Sequence, residues 1–283
     1  MQQEKKQYIA VLITCHNRRE KTLRCLDALY GCFLQEDYSF DVYLMDDGCT
    51  DGTGEAVRQQ FPLVKIIQGG GNLYWNRGMR LGWETAAEQF DYDFYLWLND
   101  DTYILSDTLK NMINAAIATN EQAIIAGSTC SFKTRELTYG GFGKNGQLLQ
   151  PNGLLQLCAS FNGNCVLIPS YVFARVGNLD PVFHHSIGDI DYGIRARKRG
   201  INLYTTCTFV GYCESHPALP EWCSPRIGFF TRMKRLYSPM GCNPFELFIL
   251  DKRRAGLVIA IFHFVTVHCR ALFPLLWLKK RSK

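Results

Sequence analysis

The chain predicts an α/β protein with a mostly parallel central sheet flanked by helices. Three observations lead there. Through about the first half, short apolar runs rich in β-branched and aromatic residues alternate with segments whose apolar positions recur at helical spacing. Two of those runs end directly in acidic turns, DDGCTDGT at residues 46–53 and LNDDT at residues 98–102. A third acidic cluster, GDIDYG, stands at residues 188–193. The ligand crevice of a parallel sheet lies beyond the carboxyl ends of its strands, so acids at strand ends are delivered to one place.

Taken in order, residues 8–15 read as a buried strand. His16, Asn17 and Arg18 form a polar turn, with Asn17 as the cap of a helix whose apolar positions are Leu23, Leu26, Leu29 and Phe33. A strand at 40–45 ends in the DDG turn, a helix covers 54–61, a strand 64–67 and a helix 77–90. The run DFYLWL at 93–98 is the next strand. Asp107 then caps a helix that places Leu109, Met112, Ile113, Ala116 and Ile117 on one face. A strand at 123–126 follows.

Glycines break residues 131–162 into hairpin and loop material. A strand at 165–169, a brief helix capped by Ser170 and a helix at 189–199 complete this part. The last helix opens with acids and closes with bases, the order its dipole favours. With no Pro/Ser-rich linker and no repeat, residues 1–240 read as one domain and 241–283 as a C-terminal helical segment.

Residues 255–278 are apolar almost throughout, but His263, His268 and Arg270 interrupt them and Pro274 bends or stops a helix. Lys252, Arg253 and Arg254 precede the stretch and KKRSK follows it. This pattern fits an amphipathic anchor lying in the plane of an anionic leaflet, ahead of a docking helix or a transmembrane span.

A hydrophobic content of 47% over 283 residues excludes disorder of the whole chain. The net charge of +5 is mild, and no basic run is interleaved with aromatics, so a nucleic-acid groove is excluded. The twelve cysteines are scattered through apolar runs without a CxxC pair, as in a reduced interior. The N-terminal apolar stretch is short and flanked by charges, unlike a signal peptide. A cytoplasmic protein is expected.

The motifs ITCHNR, LMDDGCTDGT, GGGNLYWNRG, WLNDDT, FNGNCVLIP and GDIDYGIRARKRG, over about residues 8–210, resemble the inverting family 2 glycosyltransferases of GT-A fold. The resemblance is to bacterial enzymes that build surface polysaccharide. It implies that Thr14, His16, Asn17, Arg18, Asp46, Asp47 and Asp100 hold the nucleotide, with Arg77 on phosphate. It further implies that Asn99 and Asp101 hold Mg²⁺ or Mn²⁺, Asn99 standing where the common pattern has an acid. Trp75 is placed as a platform for a sugar ring, or as a core or lid residue.

The catalytic base falls at Asp189, with Asp191 as a competitor, and Gly188 stands where an acid usually precedes the base. Tyr212, Cys213 or His216 occupies the region of a further diphosphate or metal contact, and His184 and His185 the acceptor side. The implied activity is metal-dependent transfer of a hexose-type residue from a nucleotide-diphosphate sugar to a lipid-linked or polysaccharide acceptor at the inner membrane face. Residues 131–162 would shape its acceptor pocket.

Bland readings stand beside these: DDGCTDG as a turn and cap, NDD as a solvated turn, and the GDID acids as dipole partners of a helix. Gly48 and Cys49 exclude a calcium loop. A sugar-nucleotide nucleotidyltransferase would need a glycine-rich basic loop after the first strand, which ITCHNRRE lacks. A non-catalytic carbohydrate-binding scaffold stays open.

Overall fold

The computed structural model describes residues 6–215 and 220–275. The alternation runs β1 (Gln7–Cys15), α1 (Arg19–Tyr30), β2 (Tyr38–Asp46), α2 (Thr53–Gln60), β3 (Lys65–Gln68), α3 (Tyr74–Gln89) and β4 (Phe94–Leu98). It continues through β5 (Tyr103–Ile104), α4 (Thr108–Ala118) and β6 (Ala123–Cys130). Four short strands occupy the glycine-rich stretch: β7 (Leu137–Tyr139), β8 (Gly141–Phe142), β9 (Gln156–Leu157) and β10 (Ser160–Phe161). Then come β11 (Cys165–Pro169), α5 (Ser170–Val176), α6 (Gly188–Lys198), β12 (Asn202–Tyr212), α7 (Phe229–Leu236), α8 (Pro244–Ala255) and α9 (Leu257–Leu272).

The main sheet has the order β3-β2-β1-β4-β11-β6-β12-β5. Strands β3, β2, β1 and β4 are mutually parallel, as are β6 and β12. Between the two parallel sets, β11 runs antiparallel to both β4 and β6. Its first residue, Cys165, pairs with Leu98, the last of β4. The chain entering β11 therefore passes the carboxyl ends of the parallel strands, where the acidic turns are.

Both faces of the sheet are covered, which explains the unbroken apolar runs. Along β1 the side chains alternate: Ile9, Val11 and Ile13 join the cluster that includes Leu26 and Leu29 of α1 and Met112 and Ile113 of α4. Ala10 and Leu12 face the other cluster, with Met79 and Trp83 of α3 and Tyr192 of α6. Trp83 is fully buried and packs against Tyr95, Trp97, Phe173 and Tyr192.

Several local expectations are corrected. The first helix stops at Tyr30, so Phe33 lies outside it and is 57% exposed. Arg18, not Asn17, is the N-cap residue, and the Asn17 side chain instead accepts from the Thr50 N–H and hydroxyl. Asp107 is the N-cap residue of α4, but its carboxylate takes the Asn111 amide, and Ile117 is exposed. Pro169 rather than Ser170 precedes α5. The strand expected at 123–126 extends to Cys130, because its register with β12 continues that far.

A third apolar cluster joins Trp222, Leu236, Val267 and Ala271, spanning both sides of residue 240. Helix α9 buries mainly small residues, Ala260, Val267 and Ala271, and leaves Leu257, Val258, Ile261, Phe262 and Val265 exposed. Among the described residues no helix is long and apolar enough to cross a membrane.

The C-terminal helices are tied to the sheet domain by charge. Arg253 of α8 donates to Asp191 of α6 and to Asp180, each at 2.8 Å, and Glu246 accepts from the His184 backbone. Asp191 is fully buried. Removing a partner from a buried carboxylate leaves part of its desolvation uncompensated. Arg253→Leu is expected to lower stability by about 1–3 kcal/mol, since Arg195 alone would remain on Asp191. Urea unfolding checks this, and an unchanged midpoint would show that Arg195 suffices.

Candidate active site

Asp46 ends β2 and Asp47 begins the turn, both almost fully buried. Their duties differ. Asp46 Oδ1 accepts the Cys49 N–H at 2.8 Å and so closes its own turn. Asp47 accepts three backbone N–H groups, from Gly71 at 2.8 Å, Leu73 at 2.9 Å and Tyr74 at 3.0 Å. Those bonds fold the GGGNLY stretch against the strand ends and hold Tyr74 at φ 57°, a left-handed conformation unusual for that residue. Both oxygens of Asp47, expected to contact the nucleotide, are bonded to the loop in this structure.

Close approach fixes the rest of this corner. A Cβ at Gly78 would stand 2.6 Å from Thr14 Oγ1, so only glycine lets α3 lie this near the end of β1. His16 is exposed, and its Nδ1 lies 2.6 Å from the Asp47 carbonyl. The ring thus bridges the first two turns.

Arg18 joins the first turn to the NDD turn. It donates to Asp100 Oδ1 at 2.7 Å and to Asp101 Oδ2 at 2.9 Å, with Lys21 Nζ 4.0 Å from Asp101. Asp100 is 2% exposed, and its other oxygen lies 3.5 Å from the Thr22 hydroxyl. It serves in this structure as the buried anchor of Arg18. Burial pushes its carboxyl up to about 6, against the pull of Arg18 and with the repulsion of Asp101. Asp101 is more open, and Cys213 Sγ lies 3.9 Å from its Oδ1. Cys213 thus stands at the place considered for a further contact, whereas His216 lies outside the described residues.

The oxygen donors of this turn are of the hard kind that Mg²⁺ or Mn²⁺ takes. Asp101 fits such an ion, having one oxygen free of any charged partner. Asn99 fits less well, because its Oδ1 already accepts the Trp75 indole N–H at 2.7 Å. Trp75 is therefore placed by Asn99 and by its edge contact with Trp97.

The FNGN segment brings in the third acidic cluster. The Asn99 N–H donates to the Asn164 carbonyl at 2.9 Å, and the next residue back, Gly163, donates its N–H to Asp189 Oδ2 at 2.8 Å. A Cβ at Gly163 would stand 2.7 Å from the Trp75 ring and 3.2 Å from Asp189 Cβ, so the glycine lies between them. Asp189 is partly exposed, its Oδ1 accepts the Ile190 N–H, and burial raises its carboxyl above the ordinary range.

Asp191 does not share that setting. Arg195 and Arg253 take one oxygen each, and no surface is left to a substrate. This removes it as a competitor for the base. Arg77 is anchored through its Nε, which donates to the Pro181 carbonyl at 2.9 Å. His185 lies 3.4 Å from the Trp75 N–H, and His184 pairs with Glu246 at 2.7 Å.

Sequence reading missed Asn76. Fully buried in α3, it donates to the carbonyls of Asp180 and Phe183, and its own N–H donates to the His184 carbonyl. It organises the loop ahead of Asp189, and a Cβ at Gly188 would collide with its Oδ1. That explains the glycine where an acid was expected. The available signal was an amide of poor helix propensity on the buried face of a helix.

A carboxylate whose folded-state pKa is raised favours folding at acid pH, and that contribution is lost as pH rises through the folded value. For Asp100 the window runs from about 4 to about 6. Its carboxyl resonance should titrate near pH 6, and Asp100→Asn should abolish that slope of stability. A midpoint near pH 4 would show that Arg18 outweighs burial.

With this geometry in hand, the family model for glycosyl transferase family 2 matches residues 10–171, more than half of the chain. No curated protein matches the sequence. Among solved structures the chain is similar to S. aureus TarS, with a TM-score of 0.56 and 13% identity over 90% of this chain. The match spans 44% of that TarS chain. It is also similar to TarS 1-349 in complex with UDP-GlcNAc, with a TM-score of 0.54 and 14% identity over 91% of this chain and 73% of that one. The shared architecture is the GT-A type of α/β sheet.

Proposed function

We propose that this chain, which belongs to glycosyl transferase family 2, moves a sugar from a nucleoside diphosphate sugar to an acceptor hydroxyl with inversion at the anomeric carbon. One observation carries the reading: Gly163 and Asn164 bond Asp189 on one side and the NDD turn on the other. A carboxylate suited to take a proton thus stands beside a turn suited to a cation and a diphosphate. A scaffold would need neither.

In this reading Thr14, His16, Asn17 and the Asp46 turn face the nucleoside, and Asp47 shapes the loop beneath it. Arg18 keeps guanidinium donors to spare for phosphate. Asp101, with Asn99 beside it, would hold Mg²⁺ or Mn²⁺, which when bound neutralises the departing diphosphate. Trp75, fixed by Asn99, offers its ring to the donor sugar. Asp189 accepts the acceptor's proton as the new C–O bond forms opposite the breaking bond to the leaving phosphate.

The acceptor in this reading is lipid-linked or polysaccharide, in cell-surface polysaccharide synthesis, reached from the cytoplasmic membrane face. Support comes from α9, whose exposed apolar side chains adjoin the exposed Lys252 and Arg254. Such a pairing suits peripheral contact with an anionic leaflet. The solved complex with UDP-GlcNAc makes that nucleotide sugar the first donor to test.

Asp189→Asn is expected to lower transfer about 10²–10⁴-fold while leaving nucleotide affinity in place. Because burial raises this carboxyl, the acid limb of the wild-type rate should lie above the usual value near 4. Full turnover by the variant would remove Asp189 from the role. Co-sedimentation tests the membrane contact: binding to anionic vesicles should fall with added salt and with Phe262→Asp. Equal binding to neutral vesicles would contradict the charge contribution.

A further inference from the structure

Cys15 ends β1 and Cys49 follows the Asp46 turn that ends β2, so two adjacent parallel strands deliver two thiols to one spot. Their Sγ atoms lie 3.8 Å apart. An Asp46 carboxylate oxygen completes a group whose ligand atoms all lie within 4.8 Å of one another. Cys15 and Asp46 are buried and Cys49 is partly exposed. Among the described residues no other three His, Cys, Asp or Glu side chains meet in this way.

We propose that Cys15, Cys49 and Asp46 form a site for a thiophilic divalent cation of the zinc class, with its fourth position open on the Cys49 side. Two sulfurs bound to one zinc at about 2.3 Å and a tetrahedral angle stand about 3.8 Å apart, the separation found here. A disulfide would bring them to about 2 Å. Two thiols and a carboxylate select zinc over the hard cations that suit Asp101, so the two positions differ in selectivity.

The surroundings are arranged for thiolate ligands. The Asn17 backbone N–H points at Cys49 Sγ from 3.2 Å. Asn17 sits at φ 51°, a left-handed conformation held by the Thr50 N–H on its side chain at 2.7 Å. Hydrogen bonds of this outer kind orient ligands and steady their charge. Asp46 meanwhile fixes the Cys49 backbone. Binding displaces the two thiol protons to solvent as two metal–sulfur bonds form, so affinity rises with pH. The group stands among the turns assigned above to the nucleoside, and on that reading zinc and nucleotide compete.

The test uses the full chain, reduced, with Zn²⁺ alone titrated against a chromophoric chelator and Cd²⁺ added to read thiolate-to-metal absorption. One equivalent should bind with release of protons. Cys49→Ser should lower affinity more than about tenfold, with folding confirmed by circular dichroism, while Cys269→Ser on exposed α9 leaves it unchanged. No uptake, or uptake indifferent to both Cys49→Ser and Cys15→Ala, would overturn the proposal. So would a Cys15–Cys49 disulfide mapped in freshly isolated protein. No nucleotide enters this assay, so its failure leaves the transferase reading standing, and loss of that reading leaves the metal result standing.

Discussion

Two backbone hydrogen bonds hold the site together. Gly163 donates to Asp189 and Asn99 donates to the carbonyl of Asn164, so one dipeptide spaces the third acidic cluster from the second. This depends on the direction of β11. Because it runs antiparallel between β4 and β6, its entry rather than its exit lies at the carboxyl ends of the parallel strands. A parallel β11 would carry residues 162–164 to the opposite edge of the sheet, away from Asn99. Gly163 is equally constrained, since any side chain there would meet Trp75 or Asp189.

The first alternating strands and helices were legible because runs such as β1 and β4 are apolar nearly throughout and the helices carry their own period, whereas β12, broken by Thr205, Thr206 and Thr208, was not. The acidic turns were legible because carboxylates after such runs have a reason to be there. Strand direction was not, since an apolar run buried at every residue, as in β11, reads the same both ways. Nor could sequence separate Asp189 from Asp191: two residues apart at the start of α6, they differ only in what surrounds them. One meets backbone N–H groups near Trp75; the other meets Arg195 and, from far along the chain, Arg253. Asp47 and Asp100 likewise carry partners that sequence did not reveal, the GGGNLY backbone and Arg18. Exposed carboxylates and buried anchors look alike until partners are known.

Three of the six described non-glycine residues with positive φ stand around the same place. Asn17, Tyr74 and Ile187 all adopt left-handed conformations, at roughly 1–3 kcal/mol each, and all flank the turns of the site. Each is held by what surrounds it: Thr50 on the Asn17 side chain, Asp47 on the Tyr74 N–H, and α6 beginning directly after Ile187. The C-terminal helices reach this region too, through Glu246 on His184 and Arg253 on Asp180 and Asp191. The surface proposed to meet a membrane is thereby joined by charge to the loop and helix that position Asp189.

The most direct measurement of the central claim is a crystal structure of the chain with Mn²⁺ and a non-transferable nucleoside diphosphate sugar. The diphosphate is expected beside Arg18 and Asp101, the sugar against Trp75 and its anomeric carbon open toward Asp189. A nucleotide seated elsewhere, or a donor sugar turned away from Asp189, would contradict that claim.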